Sequence, residues 1–462
     1  ATQFMEKGYS MNLSGEKDCF LTETNMQVDK ITLNDLSIFH GDEEQSVFDH
    51  LNLTTTSDGR NHLRYLLSKP LGSVSDILDT QQTIRHLGNS LGQWPVSPTN
   101  GTIMVLAKFY ETAAEPYPRH ADLLNSLWYR FFHKGDYSMT LFTIQHTLDF
   151  LKGMDQIAGL IETNEAGKQL NLQAERIRKI LEKSLIPEMI AKEKDKLTPI
   201  EVLNYANYIR NHFKSYSFEL IDIYAKLDAY MSLARAGKKY GFHFPELLEQ
   251  DEPYIDAEEL FHLMLPTPVN YTVNLSVQKN FLFLTGANMA GKSTFIKAIG
   301  IAVYLAHLGM AVPARRMQLS YFDGLLSNIQ VVDNIAKGES FFFNEVQRIK
   351  NTINQISDGR KWLILIDELF KGTNQQDAVK CSTAVIEGLH RMKNALFILS
   401  THLYEIGESL RKHENIQFRY FETAVQDDQL VFSYQLKEGI SNDRLGYLIL
   451  KREGVVDLLE KL

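Results

Sequence analysis

Gly286-Ala287-Asn288-Met289-Ala290-Gly291-Lys292-Ser293-Thr294 follows the apolar run Phe281-Leu282-Phe283-Leu284 and leads straight into a second apolar stretch from Phe295. A buried strand, a loop with glycine at both ends and a helix, in that order, make a phosphate cradle. The glycines let the backbone wrap closely around phosphate, while successive N–H groups and the helix N-terminus supply a positive field. In such a cradle Lys292 is placed to reach the β- and γ-phosphates of a nucleotide, and Ser293 to ligate Mg²⁺. Residues 286–294 are therefore expected to bind nucleotide, with ATP and Mg²⁺ as the cofactors.

Further along, Trp362-Leu363-Ile364-Leu365-Ile366 ends in Asp367-Glu368, an apolar run that delivers two carboxylates at its end. Asp367 is expected to hold Mg²⁺ through water and Glu368 to orient or deprotonate the attacking water. Ala395-Leu396-Phe397-Ile398-Leu399 is a third such run, followed by Ser400-Thr401-His402, and His402 is placed to sense or polarise the γ-phosphate. The expected catalytic set is Glu368, His402 and Lys292. Short continuous apolar runs separated by helical segments predict strands buried on both faces of a parallel α/β sheet.

Between the loop and the acid pair lies Gly338-Glu339-Ser340. A Gly-x-Ser at a helix start makes another phosphate nest, yet the first loop already fills the site. Gly338 and Ser340 are therefore expected to serve a nucleotide held by a second subunit, so that dimerisation completes the site and assembly depends on ATP. Gly372, Thr373 and Asp377, just after the acid pair, are expected near the same subunit interface.

Upstream the pattern differs. Ile31, Leu33, Leu36, Ile38 and Phe39 alternate like a short strand, after a polar lead-in over 1–29. A helix over His62 to Ser68 is expected to stop before Pro70, and Ser73 with Asp76 to open another helix ending near Leu87. From Asn100 to Gly237 helical periodicity dominates. Leu220, Ile223, Leu227, Tyr230 and Ala234 recur at three- and four-residue steps, the seam of a long helix packed on another. The charge mixture from Lys168 to Lys196 reads as a solvated helix face, with DNA contact as the sharper reading.

Composition excludes several classes. The 462 residues contain 48 Lys plus Arg against 57 Asp plus Glu, a net charge of −9, so the surface as a whole is not a basic nucleic-acid binder. Two cysteines exclude a disulfide scaffold and a cysteine-rich zinc module. No apolar run reaches the ~18 residues of a membrane span, and no secretory pattern opens the chain. A soluble cytoplasmic protein without membrane contact is expected.

The loop at 285–294, with Asn288-Met289 inside it, resembles that of the MutS family of DNA mismatch-repair ATPases. Asp367-Glu368, Gly372-Thr373, Gly338-x-Ser340 and Thr401-His402 fall in that family's order. Glu438-Gly439 to Leu445-Gly446-Tyr447 resembles its late segment, and Thr56 to Arg60, Leu66 to Leu71 and Gln81 to Ile84 resemble its core domain at the root of the lever helices. The resemblance implies an α-helical core and lever domain followed by an α/β P-loop ATPase domain of ABC type. It also implies a homodimer with two composite ATP sites and helical levers able to enclose double-stranded DNA. It gives nucleotide roles to Gly286, Asn288, Gly291, Lys292, Ser293, Asp367, Glu368 and His402, and gives Ser340 contact with the partner's nucleotide. The expected division is a tail over 1–29, a core domain over 30–115, levers over 116–250 and the ATPase over 251–462.

The departures shape the functional expectation. About 30 residues precede the core, so the mismatch-recognition and connector domains of full-length relatives are expected to be missing, and Phe4-Met5-Glu6 is read as a chance match to a mismatch wedge. The family's Ser-Thr-Phe reads Ser340-Phe341-Phe342 here. Binding of DNA structure, including branched or recombination intermediates, is expected rather than mismatch recognition. The competing expectation is a nucleotide-gated module whose arms engage a protein partner with no DNA role. A transporter subunit does not suit the long helical N-terminal half. Tyr271 is open to two readings, a base-stacking residue or a core tyrosine.

Overall fold

A computed structural model describes residues 25–112, 117, 122–163, 167–287, 289–329, 341–426, 429–441 and 455–459. Its C-terminal half is built on a seven-stranded sheet, and the three apolar runs form its centre. The strands are β1 (Gln27–Val28), β5 (Phe281–Thr285), β7 (Gly324–Asn328), β8 (Trp362–Asp367), β9 (Ala395–Ser400), β10 (Ile416–Gln426) and β11 (Gln429–Glu438), in the order β1-β7-β8-β9-β5-β10-β11. All neighbours run parallel except β10 and β11. A four-stranded sheet, β2 (Glu246–Leu248), β6 (Arg316–Ser320), β3 (Ile255–Leu260) and β4 (Tyr271–Leu275) in that order, lies ahead of the phosphate loop in most of its sequence.

Period-two alternation assigns each side chain of the central strands to one of two cores. Leu282, Leu284, Leu363, Leu365, Leu396 and Ile398 pack on one face, against α12 (Lys292–His307). Phe281, Phe283, Trp362, Ile364, Ile366 and Phe397 pack on the other, with α13 (Phe341–Ile356), α14 (Gln375–Leu389) and α15 (Tyr404–Leu410). Helix α12 is buried along almost its whole length, which is why its sequence carries no polar face.

The first core extends far upstream. It takes in Met26, Leu36, Ile38, Phe48, Leu63, Leu67, Ile77 and Ile84, from α1 (Lys30–Asp35), α2 (Val47–Leu51), α3 (Ser57–Ser68), α4 (Val74–Asn89) and the segments flanking them. The alternating stretch at 31–39 is thus not a strand. Asp29 caps a helix by accepting from Thr32 N at 2.7 Å, and the buried positions Thr32, Asp35 and Leu36 follow helical spacing. Asp35 accepts from Ser327 Oγ and Ile329 N, tying α1 to the end of β7. Ser73 caps α4 as expected, accepting from Asp76 N at 3.1 Å. Within the lead-in, Gln27 and Val28 pair with the sheet edge.

A separate, wholly helical core joins Leu87 to Met231. It is built by α5 (Asn100–Glu111), α6 (Leu123–Phe132), α7 (Lys134–Ile161), α8 (Lys168–Leu181), α9 (Ile186–Ala191), α10 (Pro199–His212) and α11 (Lys214–Tyr240). Pro187 and Pro199 begin helices rather than break them, because proline's missing N–H costs nothing in a first turn. At 27 residues, α11 runs about 40 Å. Its Leu220, Ile223 and Leu227 lie in the helical core, and its Leu233, Ala234 and Ala236 in the core shared with the sheet. One rigid element therefore joins the two cores. A last short helix, α16, spans Val455–Leu459.

Asp228 sits where α11 passes between them. Its buried carboxylate accepts from Thr55 N, Thr55 Oγ1, Thr56 N and Thr56 Oγ1 at 2.8–3.0 Å, at the start of α3. Gly59 is required beneath it, since a Cβ there would come within 2.2 Å of Asp228 Oδ2. Asp228→Ala removes the acceptor and leaves buried donors unmatched, so a loss of about 3–5 kcal/mol is expected. Urea denaturation measures it; a loss near zero would show that the junction relaxes around the gap.

Two histidines make the fold sensitive to acid. His307 is fully buried; Phe322 N donates to its Nε2 at 2.8 Å and its Nδ1 lies 2.8 Å from Val303 O, so the ring is held neutral with the proton on Nδ1. Burial lowers His307 to about 4, and also lowers His262 to about 4. The folded values lie below the ordinary 6.5, so the unfolded chain binds more protons between these limits. Stability is complete above about pH 6.5 and declines as pH falls towards 4, by up to roughly 3 kcal/mol per histidine. Thermal melts from pH 7 to 4.5 should show the midpoint falling steadily; a flat midpoint contradicts the assignment.

Candidate functional site

The phosphate-loop motif adopts the backbone its glycines permit. Gly286 has φ 141°, Met289 φ 71° and Gly291 φ 107°, all positive, and Gly291 is the residue from which α12 starts. A side chain at Gly286 would also press on the backbone of Phe421, 3.2 Å away. Lys292 is buried, and its ammonium donates to Gly286 O at 2.7 Å and Ala287 O at 3.0 Å. Burial lowers its pKa, while Glu368 and Asp367 oppose that shift. Asn288 lies outside the described residues.

Sheet order brings the acid pair to this loop. β9 lies between β5 and β8, and the register pairs Ser400 with Leu284 on one side and with Asp367 on the other. Asp367 accepts a hydrogen bond from Ser293 Oγ through Oδ2 and another from Ser400 Oγ through Oδ1. A hydroxyl and a carboxylate in direct contact are the hard oxygen donors that Mg²⁺ takes, with water completing its shell. Ser293 and Asp367 thus fit the ion. Among the described residues no group of three or more His, Cys, Asp or Glu forms a metal cage.

Glu368 follows with φ 62°, its N–H bonded to Ser400 O at 2.9 Å. His402 Nδ1 lies 3.6 Å from its Oε1 and Lys371 Nζ 3.2 Å from its Oε2. His402, and then Lys371, hold its carboxyl down to about 2 against the opposing effect of burial. The group is ionised at neutral pH and engaged on both oxygens. A cavity of about 630 Å³ opens here, lined by Met289, Gly291, Lys292, Ser293, Thr294, Asp367, Glu368 and Lys371, with Leu265, Thr267, Val269, Tyr271 and Tyr434 at its other side.

Of the expected nucleotide and catalytic residues, Gly286, Ala287, Gly291, Lys292, Ser293, Asp367, Glu368 and His402 come together at the sheet's C-terminal edge. Gly338 and Ser340 lie outside the described residues, as do Leu445, Gly446 and Tyr447. Gly372 is exposed next to the cavity, and Asp377 serves α14 by pairing with its cap Asn374. Tyr271 is buried, and its ring lies at right angles to those of Phe295 and Phe421 at 5.2 and 5.8 Å, the packing of a core tyrosine. Tyr434, 40% exposed and beside Gly291, is the aromatic open to the cavity. Sequence reasoning missed Tyr434, Ser400 as a partner of Asp367, and Lys371. Only Lys371 had a local signal, a cation three residues after Glu368.

Residues 282–457 match the family model described as MutS domain V. The chain is similar to the DNA mismatch repair protein MutS of Petrotoga mobilis, 27% identical over 309 residues, covering 65% of this chain and 37% of that protein. It is likewise similar to MutS of Acholeplasma laidlawii, 29% identical over 262 residues, covering 56% and 31%. With MutS of Pseudothermotoga lettingae it shares 29% identity over 234 residues, covering 49% and 28%. The chain thus spans about a third of the length of the curated relatives it matches.

Proposed function

This chain is a MutS-family protein, and on that premise we propose that it hydrolyses ATP with Mg²⁺ at composite dimer sites and uses the nucleotide cycle to bind DNA structure rather than mismatches. The observation that carries the reading is the meeting of Ser293 with Asp367 in one cavity with Lys292 and Glu368. In this reading the β5–α12 loop wraps the phosphates of ATP and Lys292 neutralises them. Bound Mg²⁺ supplies charge neutralisation of the phosphate oxygens. Glu368 takes the proton of the attacking water, and His402 orients Glu368 and faces the γ-phosphate. The fold is read as an ABC-type ATPase, with Gly338 and Ser340 reaching the nucleotide of a second copy near Gly372 and Thr373. A cytoplasmic setting follows from the sparse cysteines; among the described residues no helix is long and apolar enough to cross a membrane.

The arm built on α11 is the part read as contacting DNA, through local basic faces, since the net charge is −9. Backbone contact predicts affinity that falls steeply with salt. ATPase rate measured against duplex, forked and four-way DNA at low salt tests the reading. Stimulation by one or more of these is expected, and indifference to all, with no binding by anisotropy, removes the DNA role.

One observation favours the second reading, a nucleotide-gated module for a protein partner. Leu124, Leu127, Trp128 and Phe131 follow helical spacing along α6 and are 80%, 46%, 56% and 82% exposed. An apolar stripe of that kind marks a contact surface. ATP turnover that ignores DNA but responds to a co-purifying protein would decide for it.

A further inference from the structure

Glu345 is a buried carboxylate that the nucleotide chemistry does not use. It projects from α13 with 2% of its surface exposed, and its hydrogen bonds run to backbone N–H groups. Its Oε1 accepts from Lys371 N at 3.0 Å and its Oε2 from Gly372 N at 3.1 Å, a two-pronged grip on the backbone just after the acid pair. Phe342, from the same helix, packs on Phe370 at 5.7 Å between ring centres. The gripped segment is held in a costly shape, with Glu368 at φ 62° and Phe370 at φ 58°. Its consequence is the placement of Lys371 Nζ at 3.2 Å from Glu368 Oε2, while His402 faces the other oxygen. A carboxylate with both oxygens already engaged by neighbouring side chains is a poor acceptor for a water proton.

Resting on the reading of Glu368 as the water-activating base, we propose that Glu345 is a positioning residue that holds Lys371 on Glu368 and so restrains the base until α13 moves. The helix begins at the residue after Ser340, so whatever displaces α13 pulls on Glu345, shifts Lys371 and frees one oxygen of Glu368. The device makes hydrolysis answer to the position of a helix that touches none of the reacting atoms.

A double-mutant cycle on the full chain, read as steady-state kcat for Mg·ATP, tests this. Lys371→Met deletes the cation, and Glu345→Gln keeps the side chain's shape but turns an amide N–H₂ against one of the two gripped N–H groups. Each is expected to raise basal kcat about fivefold, the scale of releasing one ion pair. The double variant is expected to rise no further, because Glu345 acts only through Lys371. Multiplying effects, or a fall in kcat for Lys371→Met, overturn the proposal. Should Glu345→Gln fail to fold, Lys371→Met alone decides, and a kcat at or below wild type overturns it. Failure of the underlying reading looks different: wild-type chain that turns over no ATP, or Glu368→Gln that turns it over at the wild-type rate.

Discussion

Glu368→Gln is expected to bind ATP as the wild type does and to turn it over ~10²–10⁴-fold more slowly, the usual contribution of a positioned general base. The substitution preserves shape and the N–H bond to Ser400 O, so the fold and Asp367 stay in place. What is lost is a carboxylate at the cavity that His402, and then Lys371, hold ionised through the neutral range. Because binding survives and hydrolysis does not, a dimer closed on ATP should accumulate. Single-turnover hydrolysis beside size-exclusion chromatography with Mg·ATP measures both. Wild-type turnover by Glu368→Gln would move the base to another group.

Lys292→Ala is expected to weaken nucleotide binding at least ~100-fold, in keeping with the ~1.5–3 kcal/mol of a charge-assisted hydrogen bond plus the loss of an ammonium facing phosphates. The lysine is pre-placed, held by Gly286 O and Ala287 O in a buried position. No ordering of a long flexible side chain therefore offsets the gain on binding. Loss of affinity and not of rate alone separates this residue from Glu368. Titration with a fluorescent ATP analogue measures it, and an unchanged Kd would remove Lys292 from the site. Together the two variants divide binding from chemistry.

The loop of the candidate site was legible because its parts are local. The glycines and lysine of 286–294 stand at set spacings in consecutive residues, and the positive φ values of Gly286 and Gly291 fall where the glycines are. The strands β5, β8 and β9 were equally plain, since burial on both faces demands unbroken apolar runs. Alternation misled only at 31–39, where five apolar residues suit either period over so short a span. The capping oxygen of Asp29 and the pull of Asp35 on β7 settle it as a helix.

By itself, then, the sequence determined the glycine-bounded loop, the two carboxylates and the strands that deliver them, along with the long helix that carries Leu220 to Ala234. Tertiary structure alone decided which core the N-terminal helices join and that Asp228 anchors Thr55 and Thr56 from 173 and 172 residues away. It alone placed Ser400 on Asp367 and Glu345 on the loop that carries Lys371. The physical reason is common to all of these. Spacing along a chain encodes period and local conformation, whereas a carboxylate's partner is whatever strand order and helix packing bring within 3 Å of it. Nothing in the neighbours of Glu345 says that its partners lie beyond another strand.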